Sequence, residues 1–212
     1  VAAPLTRQRP FVIKIGGSLA AASSLSGWLL ALDKIPGQPI VVPGGGAFAD
    51  AVRQAQNDMG FDDLAAHRMA LLAMEQYGLA LAARAPRMIL ASTPAAIQRA
   101  WRLGKIPLWA PSHMLASVTP VPPSWDATSD SLAAWLAGEL RAARLLLVKS
   151  ADVAANGATL AELVASGLVD RLFSGFAGTS GAEIYIAGPS ALIDAAAVFA
   201  RGGVPGTRIL LS

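Results

Sequence analysis

The 212-residue chain contains no cysteine. Disulfides and thiolate metal sites are therefore excluded. Histidine occurs only at His67 and His113, so a histidine-rich metal centre is excluded too and no protein-held metal site is expected. Lysine occurs only at positions 14, 34, 105 and 149, and none follows Lys149. Charged residues make up 15% of the chain against a hydrophobic 54%. That balance belongs to a globular protein, not a disordered one, and it points to an apolar interface between copies.

No apolar run reaches the roughly 20 residues that a membrane-spanning helix needs. Glu139, Arg141 and Arg144 interrupt the stretch from Leu132 to Val148. The opening VAAPLTRQRP lacks the apolar segment of a secretory signal and reads as a loose extension. A cytoplasmic location is expected, with no membrane partner. The formal charge of +3 is scattered, with no basic stripe interleaved with aromatics. Small anionic ligands are expected rather than nucleic acid.

What is present alternates. Short apolar runs read as strands at 11–15, 39–42, 88–90, 106–109, 144–148, 183–188 and 208–211. Helical patterning fills 22–34, 47–58, 62–84, 94–103 and 131–141, with shorter pieces at 159–165 and 168–175 and a last helix at 189–199. On the longest helix, Leu64, Met69, Leu72, Tyr77 and Leu81 are expected to form the apolar face. The proline-rich stretch 111–127 reads as a long loop, the kind that is usually functional. The pattern predicts an α/β protein, a three-layer αβα sandwich with a mostly parallel central sheet, in a single domain.

In parallel sheets ligands bind beyond the carboxyl ends of the strands. Two glycine clusters fall there: Gly16-Gly17-Ser18 after the first strand and Gly44-Gly45-Gly46 after the second. Glycines let backbone amides approach an anion, and a helix beginning behind them adds its positive end. Neither cluster is a Walker A motif, since no Gly-Lys-Ser/Thr follows. Gly44 and Gly46 match the first pair of the G-x-G-x-x-G fingerprint, but Ala49 and the lack of an acid at the expected distance beyond it make a dinucleotide oxidoreductase a poor reading. Lys14 stands in an apolar strand and needs an anion to offset its desolvation. Lys149 ends another apolar strand, so two lysines are available to clamp a transferring phosphoryl group. Asp130, at the start of a helix behind Thr128 and Ser129, reads either as a cap or as a carboxylate orienting both ammonium groups.

VIKIGGSL, VVPGGGAFAD and ATSDSLAAWLAGEL together resemble, in order, three marks of the amino acid kinase superfamily. The resemblance implies the amino acid kinase (carbamate kinase-like) fold, with ATP and Mg²⁺ as cofactors and an anionic small molecule as acceptor. It implies Lys14, Asp130 and Lys149 as catalytic residues, and Gly16, Gly17, Ser18, Ser150 and Asp152 at the nucleotide phosphates. Gly44, Gly45, Gly46, His67, Trp125, Thr128 and Ser129 would serve the acceptor. Residues 1–125 would be mainly the acceptor half and 126–212 the nucleotide half. A homodimer or higher even assembly is implied, paired through the helix at 62–84.

LAAHRMALLAM and PSHMLASVTPVPPSWDATSDSL are similar to the branch that phosphorylates a furan phosphate in methanofuran biosynthesis. There Trp125 would stack on the furan or hold its aminomethyl group by a cation–π contact. Two departures stand out. KSADVAANGAT replaces the TDVDG-like nucleotide loop of many relatives, with Asp152 standing in for part of it. The late lysine that many relatives carry is missing, so Lys149, or an arginine such as Arg171, would supply its charge. A non-catalytic binding module on the same fold is the alternative.

Overall fold

The computed structural model describes residues 9–116, 121–153 and 159–210. Residues 1–8 of the opening extension, 117–120 in the loop at 111–127, 154–158 in the departing nucleotide loop and 211–212, which include the last residue of the expected final strand, lie outside the described residues.

Strands β1 (Phe11–Ile15) and β2 (Pro39–Pro43) are buried along their whole length. Continuous apolar runs form the inside of a parallel sheet covered on both faces, where no side chain meets water. The remaining strands are β3 (Met88–Ala91), β4 (Ile106–Trp109), β5 (Arg144–Val148), β6 (Glu183–Ala187) and β7 (Thr207–Ile209). The sheet order is β3-β4-β2-β1-β5-β6-β7. Every pair is parallel except β6 with β7. β1 is central, with β2 on one side and β5 on the other. The loops leaving β1 and β5 therefore part at a topological switch point, where open α/β sheets bind ligands.

The helices are α1 (Ser24–Leu32), α2 (Gly46–Met59), α3 (Asp63–Arg84), α4 (Pro94–Arg102), α5 (Pro111–Leu115), α6 (Ser129–Glu139), α7 (Leu160–Ala165), α8 (Phe173–Ser180) and α9 (Leu192–Ala200). Two cores result. Val12, Leu145 and Leu147 pack with Leu132 and Leu136 of α6 and Phe173 of α8. On the opposite face Phe11, Ile13, Ile15 and Leu146 pack with Trp28 of α1 and Phe199 of α9. The alternation within β1 decides the site: Val12 faces α6, so Lys14, two residues on, faces α6 as well. By the same period Lys149 follows Leu145 and Leu147 onto that face.

Several expected boundaries move, each for a local reason. A 3₁₀ turn at Gly17–Ala21 precedes α1, which is shorter than 22–34. α6 starts at Ser129, not Ser131, because Thr128 is the cap and accepts from Asp130 N. α8 begins five residues later than expected, since Asp170 holds the chain ahead of it in a turn at Leu172. The stretch from 111 opens with a short helix, α5, not a loop. On α3 the buried face is Ala66, Leu71, Met74, Tyr77 and Leu81, while Leu64, Met69 and Leu72 of the expected face are exposed. Helical spacing alone could not choose between two apolar faces of one helix.

Candidate active site

Asp130 sits in the first turn of α6, where a helix N-terminus favours negative charge, and α6 lies over β1. Its Oδ1 is 2.9 Å from Lys14 Nζ and its Oδ2 2.5 Å from Lys149 Nζ. The Lys149 contact is a hydrogen bond. The Lys14 contact lies within ion-pair distance, but its oxygen lacks a well-aligned donor. Lys14 is 5% exposed, Asp130 4% and Lys149 9%. Burial alone would raise the Asp130 pKa, but the two lysines outweigh it and hold the carboxyl below its ordinary range. Burial, followed by the like charge of Lys14, pushes Lys149 down from 10.5 to about 8, against the pull of Asp130. The cluster carries two ammonium groups against one carboxylate, so it has room for another anion.

Asp170, which sequence reading missed, fixes this turn. Its Oδ2 accepts from Thr128 N at 2.9 Å, Thr128 Oγ1 at 2.8 Å and Ser131 N at 3.0 Å. Its Oδ1 accepts from Ser131 Oγ and, at 3.1 Å, from Leu172 N. An aspartate four residues into the segment Ser166–Asp170 carries no sequence signal that points at a helix forty residues earlier.

The two glycine loops lie back to back. A Cβ on Gly17 would be 2.6 Å from Gly46 Cα, and one on Gly44 would be 3.0 Å from Gly17 Cα. Gly46 has φ +55°, which a side chain would strain. Gly16 abuts the Val148 carbonyl oxygen, and its missing side chain leaves the space beside Lys14 Nζ open. Gly17, Ser18, Gly45 and Gly46 line a cavity, whereas Gly16 and Gly44 space the loops behind it. Ser18 Oγ donates to Ser150 Oγ at 3.1 Å, joining the loops after β1 and β5. Asp152 accepts from Ser190 N and Oγ at 3.1 and 2.7 Å, tying the end of β5 to the end of β6.

The glycine-lined cavity measures about 470 Å³ and includes His67, Trp125, Thr128 and Ser129, all expected at the acceptor. Burial lowers the His67 pKa and favours the neutral ring. Asp50 and Arg53 line the same cavity and were not singled out from the sequence. Both follow Gly46 at helical spacing, four and seven residues on, and that period was the available signal. The Arg53 guanidinium lies 4.2 Å over the Trp125 ring and 3.0 Å from Asp50 Oδ1. Trp125 Nε1 donates to Gln56 Oε1 at 2.7 Å. One face of Trp125 is thus covered by the chain's own cation. A second cavity, of about 590 Å³, is lined by Asp130, Lys149, Asp170 and Arg171. Thr128 and Trp125 line both cavities.

The paired lysines and the glycine loops thus lie together at the switch point of a parallel α/β sheet. The amino acid kinase family profile matches residues 9–165, and the chain belongs to this family. The chain is 29% identical over 143 residues to the [5-(aminomethyl)furan-3-yl]methyl phosphate kinase of Methanocaldococcus jannaschii; the match covers 66% of each chain, just under two thirds of the relative's length. It resembles the crystal structure of uridylate kinase from Archaeoglobus fulgidus with a TM-score of 0.69 at 17% identity, covering 96% of this chain and 100% of that one. UMP kinase from Ureaplasma parvum gives 0.65 at 17% identity, covering 87% and 91%. Aspartate kinase from Synechocystis gives 0.69 at 13%, covering 95% and 39%. The structural likenesses establish the fold. Membership of the amino acid kinase family puts the chain in the phosphotransferase class.

A kinase of this family implies ATP as phosphoryl donor. Mg²⁺ fits less directly. Among the described residues no three His, Asp or Glu side chains converge to hold a metal ion, and both Asp130 oxygens face ammonium groups. The cluster suits phosphate oxygens rather than a metal. Among the described residues, no helix is long and apolar enough to cross a membrane.

Proposed function

We propose that the protein transfers the γ-phosphoryl group of ATP to a phosphate monoester, and that the acceptor is [5-(aminomethyl)furan-3-yl]methyl phosphate, converted to the diphosphate for methanofuran-type cofactor synthesis. The observation that carries the phosphotransfer reading is Asp130 held between Lys14 and Lys149 beside two cavities. The furan acceptor is supported by the similarity to the Methanocaldococcus jannaschii enzyme.

In this reading the glycine-lined cavity takes the acceptor and the Lys149-lined cavity takes the nucleotide. Residues up to about 125 then serve mainly the acceptor and those after it mainly ATP. An oxygen of the acceptor phosphate attacks the γ-phosphorus, the bond to the β,γ-bridging oxygen breaks, and ADP leaves. The acceptor is already an anion, so no general base is required. Lys14 and Lys149 neutralise charge on the transferring group, and Asp130 keeps the two ammonium groups together despite their repulsion. Gly17 and Ser18 line the acceptor cavity together with Gly45 and Gly46, and Ser18 is bonded to Ser150 at the end of β5, so this loop would meet the transferring phosphoryl group where acceptor and nucleotide face each other. Asp152 and Gly44 act by bracing loops. Mg²⁺ is expected on the phosphates of the nucleotide itself. Arg53 is the one Lys or Arg side chain among the described residues that line the acceptor cavity, and it suits an anionic acceptor.

The alternative, a non-catalytic module, draws on the missing late lysine. Lys149 in contact with Asp130 weighs against it, since the second positive charge is present. ADP release from Mg·ATP, measured with the furan phosphate, acetylglutamate, isopentenyl phosphate and uridine monophosphate, tests the proposal. Turnover with the furan phosphate is expected. ATP binding without turnover of any acceptor would favour the module.

A further inference from the structure

Outside the lysine cluster, the most heavily bonded polar side chain among the described residues is Asp170. Five donors converge on one carboxylate: two backbone amides and two hydroxyls from Thr128 and Ser131, and the amide of Leu172. Thr128 accepts from Asp130 N, and Asp170 takes a further free amide of the same first turn, Ser131 N, but it also binds two hydroxyls and the amides of Thr128 and Leu172, which lie outside the helix ladder. Asp170 therefore does more than end a helix. It ties the segment before α8 to the two residues that bracket Asp130, and it lines the same cavity as Lys149 and Asp130. Thr128, held by two of the five bonds, is shared between both cavities.

We propose that Asp170 is a positioning residue for phosphoryl transfer: it locks the first turn of α6 so that the Asp130 carboxylate stays registered between Lys14 and Lys149. This rests on the phosphotransfer reading given above. Asp170 reaches no reacting atom in this account and acts through Asp130, Thr128 and Lys149. The charged groups around Lys149 are Lys14 on β1, Asp130 on α6, and Asp170 with Arg171 ahead of α8. Lys14 pushes the ammonium toward losing its proton, and the two carboxylates oppose it. Arg171 pairs with Asp126 at 3.5 Å on the exposed rim.

The test uses Asp170→Asn, with Ser131→Ala as a milder variant and Thr93→Ala as a stability control. Thr93 caps α4 and lines neither cavity. Two quantities are read: kcat and KM for both substrates, and the titration of Lys149 Cε–H resonances in protein labelled with ¹³C-lysine. With four lysines in the chain, each signal is assigned by substitution. Asp170→Asn is expected to lower kcat about 10- to 100-fold, as a misplaced catalytic group does, with smaller changes in KM. It should also move the Lys149 midpoint to lower pH. Ser131→Ala should move both in the same direction by less, and Thr93→Ala should lower only the melting temperature. If Asp170→Asn behaves like Thr93→Ala, with kcat and the Lys149 midpoint unchanged, the proposal is overturned. If Asp170→Asn does not fold, Ser131→Ala decides by the same readings. If the wild type turns over no acceptor, the phosphotransfer reading fails, and the Lys149 midpoint still decides whether Asp170 governs the cluster.

Discussion

Gly17 and Gly46, the second glycine of one loop and the third of the other, stack backbone to backbone, so that a Cβ on Gly17 would lie 2.6 Å from Gly46 Cα. The two loops can come this close only because neither has a side chain at this contact. Gly17→Ala must part them. Forced overpacking of this kind costs about 1–3 kcal/mol. Loss of most turnover together with a melting temperature several degrees lower is expected, from steady-state kinetics and a thermal melt of the same preparation.

Lys149 gives the pH dependence a definite sign. Its pKa in the folded protein is about 8, and the charged form is the one that can neutralise phosphate. With the nucleotide site empty, kcat/KM for ATP should fall as pH rises through about 8. An anionic nucleotide favours the ammonium form, so binding above pH 8 should take up protons. Calorimetry in buffers of different ionisation heats measures that uptake, and Lys149→Gln should abolish it. Stability should move the other way for this group. Between about 8 and 10.5 the unfolded chain holds the lysine proton more firmly than the folded one, so this term makes folding more favourable as pH rises. Activity should therefore be lost in that window without unfolding.

Asp130→Asn leaves two buried ammonium groups facing each other with no carboxylate between them. Removing one partner from a buried ion-pair network typically costs about 3–5 kcal/mol. Urea denaturation should show a loss of that order, and turnover should fall more than ATP affinity. Lowering the pH imitates the substitution. The Asp130 pKa is lower folded than unfolded, so its contribution is present above the unfolded value and lost as pH falls through the folded one.

The exposed side of α3 carries Leu64, Leu72 and Leu79, an apolar stripe on a helix that also packs inward. We expect it to pair copies of the chain. Light scattering at micromolar concentration should give a dimer or larger even assembly, and Leu72→Glu should shift it toward monomer. A wild-type monomer would remove this expectation.

Much of the site was legible because parallel strands have a strict period. Val12 and Lys14 share a face, and Lys149 continues the face of Leu145 and Leu147, so two lysines at strand ends had to meet the same helix layer. Asp130 read from the sequence either as a cap or as a carboxylate between the two lysines, and its contacts with both place it between them. The pieces that escaped depend on long-range contacts. Asp170 reaches back to Thr128 across 42 residues, and no local pattern announces such a bond. Arg53 lay within reach of helical spacing but reads as a solvated charge until Trp125 is seen beneath it. Which apolar face of α3 turns inward was equally undecidable, since hydrophobic residues lie on both.

The most direct test of phosphoryl transfer at the lysine cluster is ³¹P NMR of wild-type protein and Lys14→Ala incubated with Mg·ATP and [5-(aminomethyl)furan-3-yl]methyl phosphate. The wild type should convert the monoester signal into the paired signals of a diphosphate as ADP appears. Losing one such charge typically costs about 100- to 1,000-fold in rate, so the folded Lys14→Ala protein should leave the monoester intact over the same time. Diphosphate formed at a near-normal rate by a correctly folded Lys14→Ala variant would contradict the account.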